Sequence, residues 1–151
     1  MVFRQLGSAL VGSLLISALC VGCGPGIKLE PNQKPTFKVT GSVVVDGQTP
    51  TPPVRLVCFL KNSAGTEIEK APSCESKPDG TFELVTYRDG DGAPAGDYLV
   101  TVEWREYDVL NREYKKLDKL KGRYSDPKKS QIEFTVVNKA VDLGTIELTT
   151  K

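Results

Sequence analysis

The chain reads as an all-β sandwich of about seven short strands, and three observations predict it. From Phe37 onward apolar residues alternate with polar ones at a period of two, the pattern of strands with one buried face. Turn-forming clusters punctuate that alternation at regular spacing, among them Asp46-Gly47, Asn62-Ser63-Ala64-Gly65 and Lys77-Pro78-Asp79-Gly80. Two facing sheets can bury the in-phase residues, and no other element is long enough to cover them.

Taken in order, Phe37, Val39, Val43 and Val45 share one phase, with Lys38 and Thr40 on the other, and the strand stops at Asp46-Gly47. Pro50, Pro52 and Pro53 form a connection that cannot join a ladder, because proline has no N–H to donate. Val54–Leu60 is the next strand. Thr66–Lys70 and Ala71–Ser76 are weaker strand pieces, interrupted at Pro72. In Thr81–Tyr87, Phe82 and Leu84 point inward and Glu83 outward. A loop over Arg88–Gly96 leads to the strongest strand, in which Tyr98, Val100, Val102 and Trp104 share a face. Ile132, Phe134 and Val136 alternate in the next strand. In the last, Val141 and Leu143 are in phase while Ile146 and Leu148 have slipped by one, which predicts a β-bulge at Gly144.

Arg105–Ser130 departs from this pattern. Tyr107, Leu110, Tyr114, Leu117 and Leu120 are spaced by three or four, a helical signature, and Gly122 follows as a stop. One short helix, at most, or a few helical turns in a long crossover between the sheets would account for it. The segment holds nine basic and five acidic residues. Long loops that persist in compact domains are often functional, so Tyr107, Tyr114 and Tyr124 are the candidate interaction residues, and residues 111–121 read as dispensable to the sandwich.

Ahead of the sandwich lies an address. Arg4 precedes the uncharged apolar run Leu6–Leu19, which is too short to span a bilayer and ends at Cys20-Val21-Gly22-Cys23. This matches a lipoprotein signal peptide over residues 1–22. Cys23, with Gly22 before it, fits the acylation site better than Cys20, which follows the bulky Leu19; an ordinary signal is the other alternative. Residues 23–36 are then a lipidated cysteine and a proline-stiffened tether, and residues 37–151 are the sandwich. The expected setting is an exported chain, lipid-anchored at the periplasmic or cell-surface face of a bacterial membrane.

Composition narrows the function. The 20 basic residues against 19 acidic fall to parity once Arg4 is removed, which argues against a nucleic-acid partner. The chain has no histidine, so nucleophile–histidine pairs and imidazole-bound zinc are excluded. No catalytic residue, metal or cofactor is expected.

Two cysteines, Cys58 and Cys74, remain in the body. In an oxidising compartment a bond between them would add about 3 kcal/mol in the chain-entropy account. A hairpin turning at Asn62–Gly65 would instead oppose Cys58 to about residue 69, leaving it a small core hydrophobe, and both readings stand.

Asp79-Gly80-Thr81-Phe82 followed by Pro94-Ala95-Gly96-Asp97-Tyr98-Leu99-Val100-Thr101-Val102 resembles the transthyretin-like, carboxypeptidase-regulatory-like family, as do Gly41-Ser42-Val43 and Pro53-Val54. Thr86-Tyr87, Gly90-Asp91-Gly92-Ala93-Pro94 and Lys121-Gly122-Arg123-Tyr124-Ser125-Asp126-Pro127 resemble the small lipoproteins of planctomycete-type bacteria. The resemblance implies a seven-stranded, prealbumin-like Greek-key sandwich. It implies a non-enzymatic structural or protein-interaction module at the envelope, with carbohydrate binding as the alternative, so the expected partners are the membrane and an envelope protein or glycan.

Two further constellations invite a chemical reading. Asp89-Gly90-Asp91-Gly92 has carboxylates at alternate positions, as calcium loops do, but position 12, counting Asp89 as the first, is Val100 rather than Glu, and a plain turn explains the composition. Lys38, Asn138 and Glu83 are the only plausible trio for an intramolecular isopeptide bond, and all three are out of phase with the core.

Overall fold

The computed structural model describes residues 30–63 and 71–151. The signal segment, Cys20, Cys23, the first part of the tether and the strand piece Thr66–Lys70 lie outside the described residues. The strands are β1 (Thr36–Phe37), β2 (Val39–Val45), β3 (Arg55–Leu60), β4 (Ser73–Glu75), β5 (Thr81–Glu83), β6 (Ala93–Pro94), β7 (Gly96–Glu103), β8 (Tyr107–Asp108), β9 (Glu113–Tyr114), β10 (Glu133–Val136) and β11 (Val141–Leu148).

Seven of them build the sandwich. One sheet has the order β10-β7-β3-β4 and the other β11-β2-β5, while β1/β6 and β8/β9 are two-stranded ribbons. The pairing of β2 with β11 is parallel, and the other pairings are antiparallel. The sheets are also joined along one side, where Ser73 and Val85 exchange backbone hydrogen bonds of 2.9 and 3.0 Å.

The expected phases hold. Val39, Val43, Val45, Phe82, Ile146 and Leu148 from one sheet meet Leu56, Cys58, Tyr98, Val100, Val102, Phe134 and Val136 from the other in a single buried cluster. Burying such side chains stabilises by about 1.5–3 kcal/mol each, and a one-residue slip would turn a whole strand's set to solvent. Tyr98 stacks on Phe134, its register partner, at 5.1 Å between ring centroids, and donates its hydroxyl proton to Pro94 O at 3.0 Å. The bulge expected at Gly144 is present. The β2/β11 register shifts between Asp142 and Thr145, and Gly144 has a φ of 63°, a conformation open to glycine.

Two expectations are corrected. The β3–β4 register sets Leu56 opposite Cys74, and Cys58 N donates to Pro72 O at 2.8 Å, so the position facing Cys58 is Pro72 rather than residue 69. A 3-10 turn at Lys61–Ser63 lengthens the connection. The helical spacing in Arg105–Ser130 forms no α-helix. Tyr107 pairs with Tyr114 in a ribbon, turns come next, and the helical content is a 3-10 turn at Pro127–Lys129 capped by Asp126. Short polar side chains decide this outcome: Asp108 Oδ1 accepts from Leu110 N and Asn111 N, offering the backbone a turn in place of a helix.

Candidate functional site: a ribbon at the end of the sandwich

The chain leaves the four-stranded sheet at Glu103, and Asp118 organises the segment beyond it. Its carboxylate is buried and accepts from Trp104 N (2.9 Å), Leu120 N (3.0 Å) and Gly122 N (2.8 Å), so residues 104–122 close into a defined excursion. Leu120 goes into the core with 0% exposure, while Leu117 stays 76% exposed. The expectation that residues 111–121 are dispensable is therefore corrected, because that span carries both a core side chain and the carboxylate that shapes the segment.

The ribbon β8/β9 projects from this base, and aromatic contacts fasten it. The rings of Tyr107 and Tyr114 meet edge to face at 5.1 Å, an arrangement worth about 0.5–1.5 kcal/mol. The Arg55 guanidinium, from the first residue of β3, lies over the Tyr114 ring at 5.6 Å. The Tyr114 hydroxyl donates to Glu75 Oε1, at the end of β4. Burial, then that carboxylate, push the Tyr114 phenol up to about 12. Lys115 and Lys119 both reach the Glu106 carboxylate, at 2.7 and 3.3 Å, and hold it below the usual carboxylate range.

At the tip the picture reverses. Val109 is 77% exposed and Leu110 is 94% exposed. The turn does not need them, since Asp108 accepts the loop N–H groups and Arg112 supplies the left-handed residue, with a φ of 55°.

The three candidate tyrosines thus separate. Tyr107 and Tyr114 are brought together. Tyr124 packs on the core instead, its hydroxyl accepting from Thr149 N at 3.1 Å and its carbonyl from Val102 N at 2.9 Å. Sequence reasoning missed Arg55, Glu75 and Asp118. Arg55 stands out of phase with Leu56 and Cys58, a cue that it faces away from the core, but its partners come from strands remote in sequence.

The other candidates fall into place. Cys58 and Cys74 are free thiols, the first buried and the second half-buried. Burial drives the Cys58 thiol well above its ordinary range and the Cys74 thiol up to about 12, with Glu75 adding to the latter. Asp91 caps its own turn, accepting from Thr86 N (2.7 Å), Tyr87 N (3.0 Å) and Arg88 N (3.2 Å). Among the described residues no three acidic or cysteine side chains converge on a metal position. Lys38 makes a 3.5 Å ion pair with Glu83 near solvent, and Asn138 is exposed, so that trio has no buried acid. At the opposite end of the sandwich an open cleft of about 510 Å³ lies between residues 30–34 and Leu60, Tyr87, Pro94 and Tyr98. No helix among the described residues is long and apolar enough to cross a membrane.

No family model matches the chain, and no curated protein matches it. Among solved structures it is similar to the major pilin subunit BcpA of Bacillus cereus, with 14% identity and a TM-score of 0.43, covering 74% of this chain and 29% of that one. It is similar to a DUF3823 family protein from Parabacteroides merdae (18% identity, TM-score 0.36, 78% of this chain and 46% of that one). It is also similar to a 9R-lipoxygenase from Cyanothece (13% identity, TM-score 0.38, 76% of this chain and 16% of that one). The chain spans less than half of each of these proteins.

Proposed function

We propose that the protein is a non-enzymatic, lipid-anchored envelope lipoprotein of the transthyretin-like, carboxypeptidase-regulatory-like kind, acting as an interaction module through the β8/β9 ribbon. One observation carries the reading. The ribbon's base is fastened to the sheet by Tyr114, Arg55 and Glu75, while its tip holds two large aliphatic side chains that the fold does not use. Contiguous exposed apolar side chains on a rigid support are the usual makings of a contact surface. The chain has no histidine, so the reading invokes no nucleophile–histidine pair.

Carbohydrate binding through Tyr107 and Tyr114 is the second reading, favoured by the half-exposed Tyr107 ring. A sugar ring needs an open aromatic face, and Arg55 already covers one side of Tyr114. A glycan array probed with the full chain and with Tyr107→Ala separates the two. Selective glycan signal lost in the variant would establish the carbohydrate reading.

The anchor is tested by labelling with palmitate in a bacterial host. Cys23→Ser should block acylation and release the protein from the detergent phase. Label still entering the Cys23→Ser protein would move the assignment to Cys20.

A further inference from the structure

We infer that the tip of the β8/β9 ribbon is a second membrane contact, seating Val109 and Leu110 in the headgroup region of an anionic bilayer so that the anchored domain lies along it. The inference rests on the anchoring proposed above and names the partner of the ribbon.

Three observations carry it. The first is the pair of aliphatic side chains at the tip, more exposed than any other large hydrophobics among the described residues. The second is charge. Glu106 is neutralised by Lys115 and Lys119, Asp108 is turned into its own loop, and Asp118 is buried under three N–H groups. Arg112 at the tip and Lys116 just beyond the ribbon are exposed, and neither forms an ion pair among the described residues; Glu113 is the ribbon's remaining exposed acid. Over Arg105–Ser130 the balance is nine basic residues to five acidic. Apolar side chains backed by cations suit a surface that is anionic outside and hydrocarbon within.

The third is placement. Residues 30–34, where the chain arrives from its N-terminus, lie beside Leu60 and Tyr98, near the end of β3 and the start of β7. The ribbon comes after the end of β7 and rests on Arg55 at the start of β3. An eight-residue strand, about 25 Å long, separates the two ends. A sandwich held to a bilayer at both ends lies on its flank. Two aliphatics and a few cations make a weak contact, and a weak contact suffices for an anchored domain, which meets the bilayer at high effective concentration.

The test places a tryptophan at the tip. The mature chain from residue 24 onward, carrying Leu110→Trp, is held on vesicles by a hexahistidine tag placed ahead of Gly24 and a nickel-chelating lipid, so retention does not depend on acylation at Cys23. Trp104, half-buried and present in the parent chain, is the reference. On vesicles of brominated phosphatidylglycerol the added emission should fall by about half or more, and about 0.5 M salt should restore it. Arg112→Glu with Lys116→Glu should abolish the quenching without moving the thermal melt. Undiminished emission on phosphatidylglycerol would overturn the inference. So would equal quenching on brominated phosphatidylcholine, because the cations would then play no part. A crosslink from position 110 to an envelope protein, with no quenching on vesicles, would overturn it in favour of a protein partner. Loss of palmitate labelling at Cys23 bears on the anchor alone and leaves these outcomes unchanged.

Discussion

Asp118 holds Trp104 in place across the excursion that leaves the sheet: the Trp104 N–H donates to Asp118 Oδ1 at 2.9 Å, while the same carboxylate takes the N–H groups of Leu120 and Gly122. The indole is fixed from its other side, donating to Pro52 O at 2.8 Å with the Lys119 ammonium 5.0 Å from the ring centroid. One buried carboxylate therefore couples the end of β7, the base of the ribbon and the entry of Leu120 into the core.

Asp118→Ala should accordingly cost about 2–4 kcal/mol, since it strands several backbone donors away from water. Asp126→Ala, which removes the cap of an exposed 3-10 turn, should cost about 1 kcal/mol or less. Urea unfolding of the two variants checks the order, and equal midpoints would show that the Asp118 contacts are unimportant.

Strand phase is tested on β7. Val100→Asp buries an unpaired charge in the cluster between the sheets and should leave the domain unfolded by far-UV circular dichroism. Lys38→Ala removes only a solvent-exposed ion pair with Glu83 and should shift stability by less than about 0.5 kcal/mol.

Gly92 should be intolerant for a steric reason. Its φ is 85°, and a Cβ there would come within 1.8 Å of the Phe37 carbonyl oxygen, where the β1/β6 ribbon closes. Gly92→Ala should therefore cost well over the roughly 1 kcal/mol of backbone strain expected of Gly47→Ala, where a Cβ meets nothing within 4 Å. Comparison of the two melting temperatures decides it.

The thiols make stability depend on alkaline pH. Cys74 is raised from an ordinary value of 9.0 to about 12, and Cys58 is raised further by burial. A raised folded-state value means the unfolded chain loses its protons first. The thiol contribution is thus complete below about pH 9 and is lost as pH rises toward 12. The wild-type melting temperature should fall over that window more steeply than that of Cys58→Ala/Cys74→Ala. Thiol counting after denaturation should find both cysteines of the body reactive; their absence under oxidising conditions would instead show that they are bonded.

Period-two alternation was enough to assign the inward faces of β2, β3, β7 and β10 and the bulge at Gly144, because a strand alternates its faces by geometry alone and the buried face must be apolar. Spacing by three or four was a poorer guide in Arg105–Ser130, where a 3-10 turn at Pro127–Lys129 is the helical content. Tyr107, Leu110, Tyr114, Leu117 and Leu120 have helical spacing, yet they part company: two tyrosines face each other across a ribbon, one leucine is buried and two are exposed. Periodicity registers which residues are apolar, not whether a neighbouring sheet is there to cover them. Only tertiary structure could decide that the Asp108 and Asp118 carboxylates turn the backbone, that Arg55 and Glu75 arrive beneath Tyr114, and that β11 runs parallel to β2 at the sheet edge. Most of these join residues far apart along the chain, and a contact between distant residues leaves no period in a single sequence.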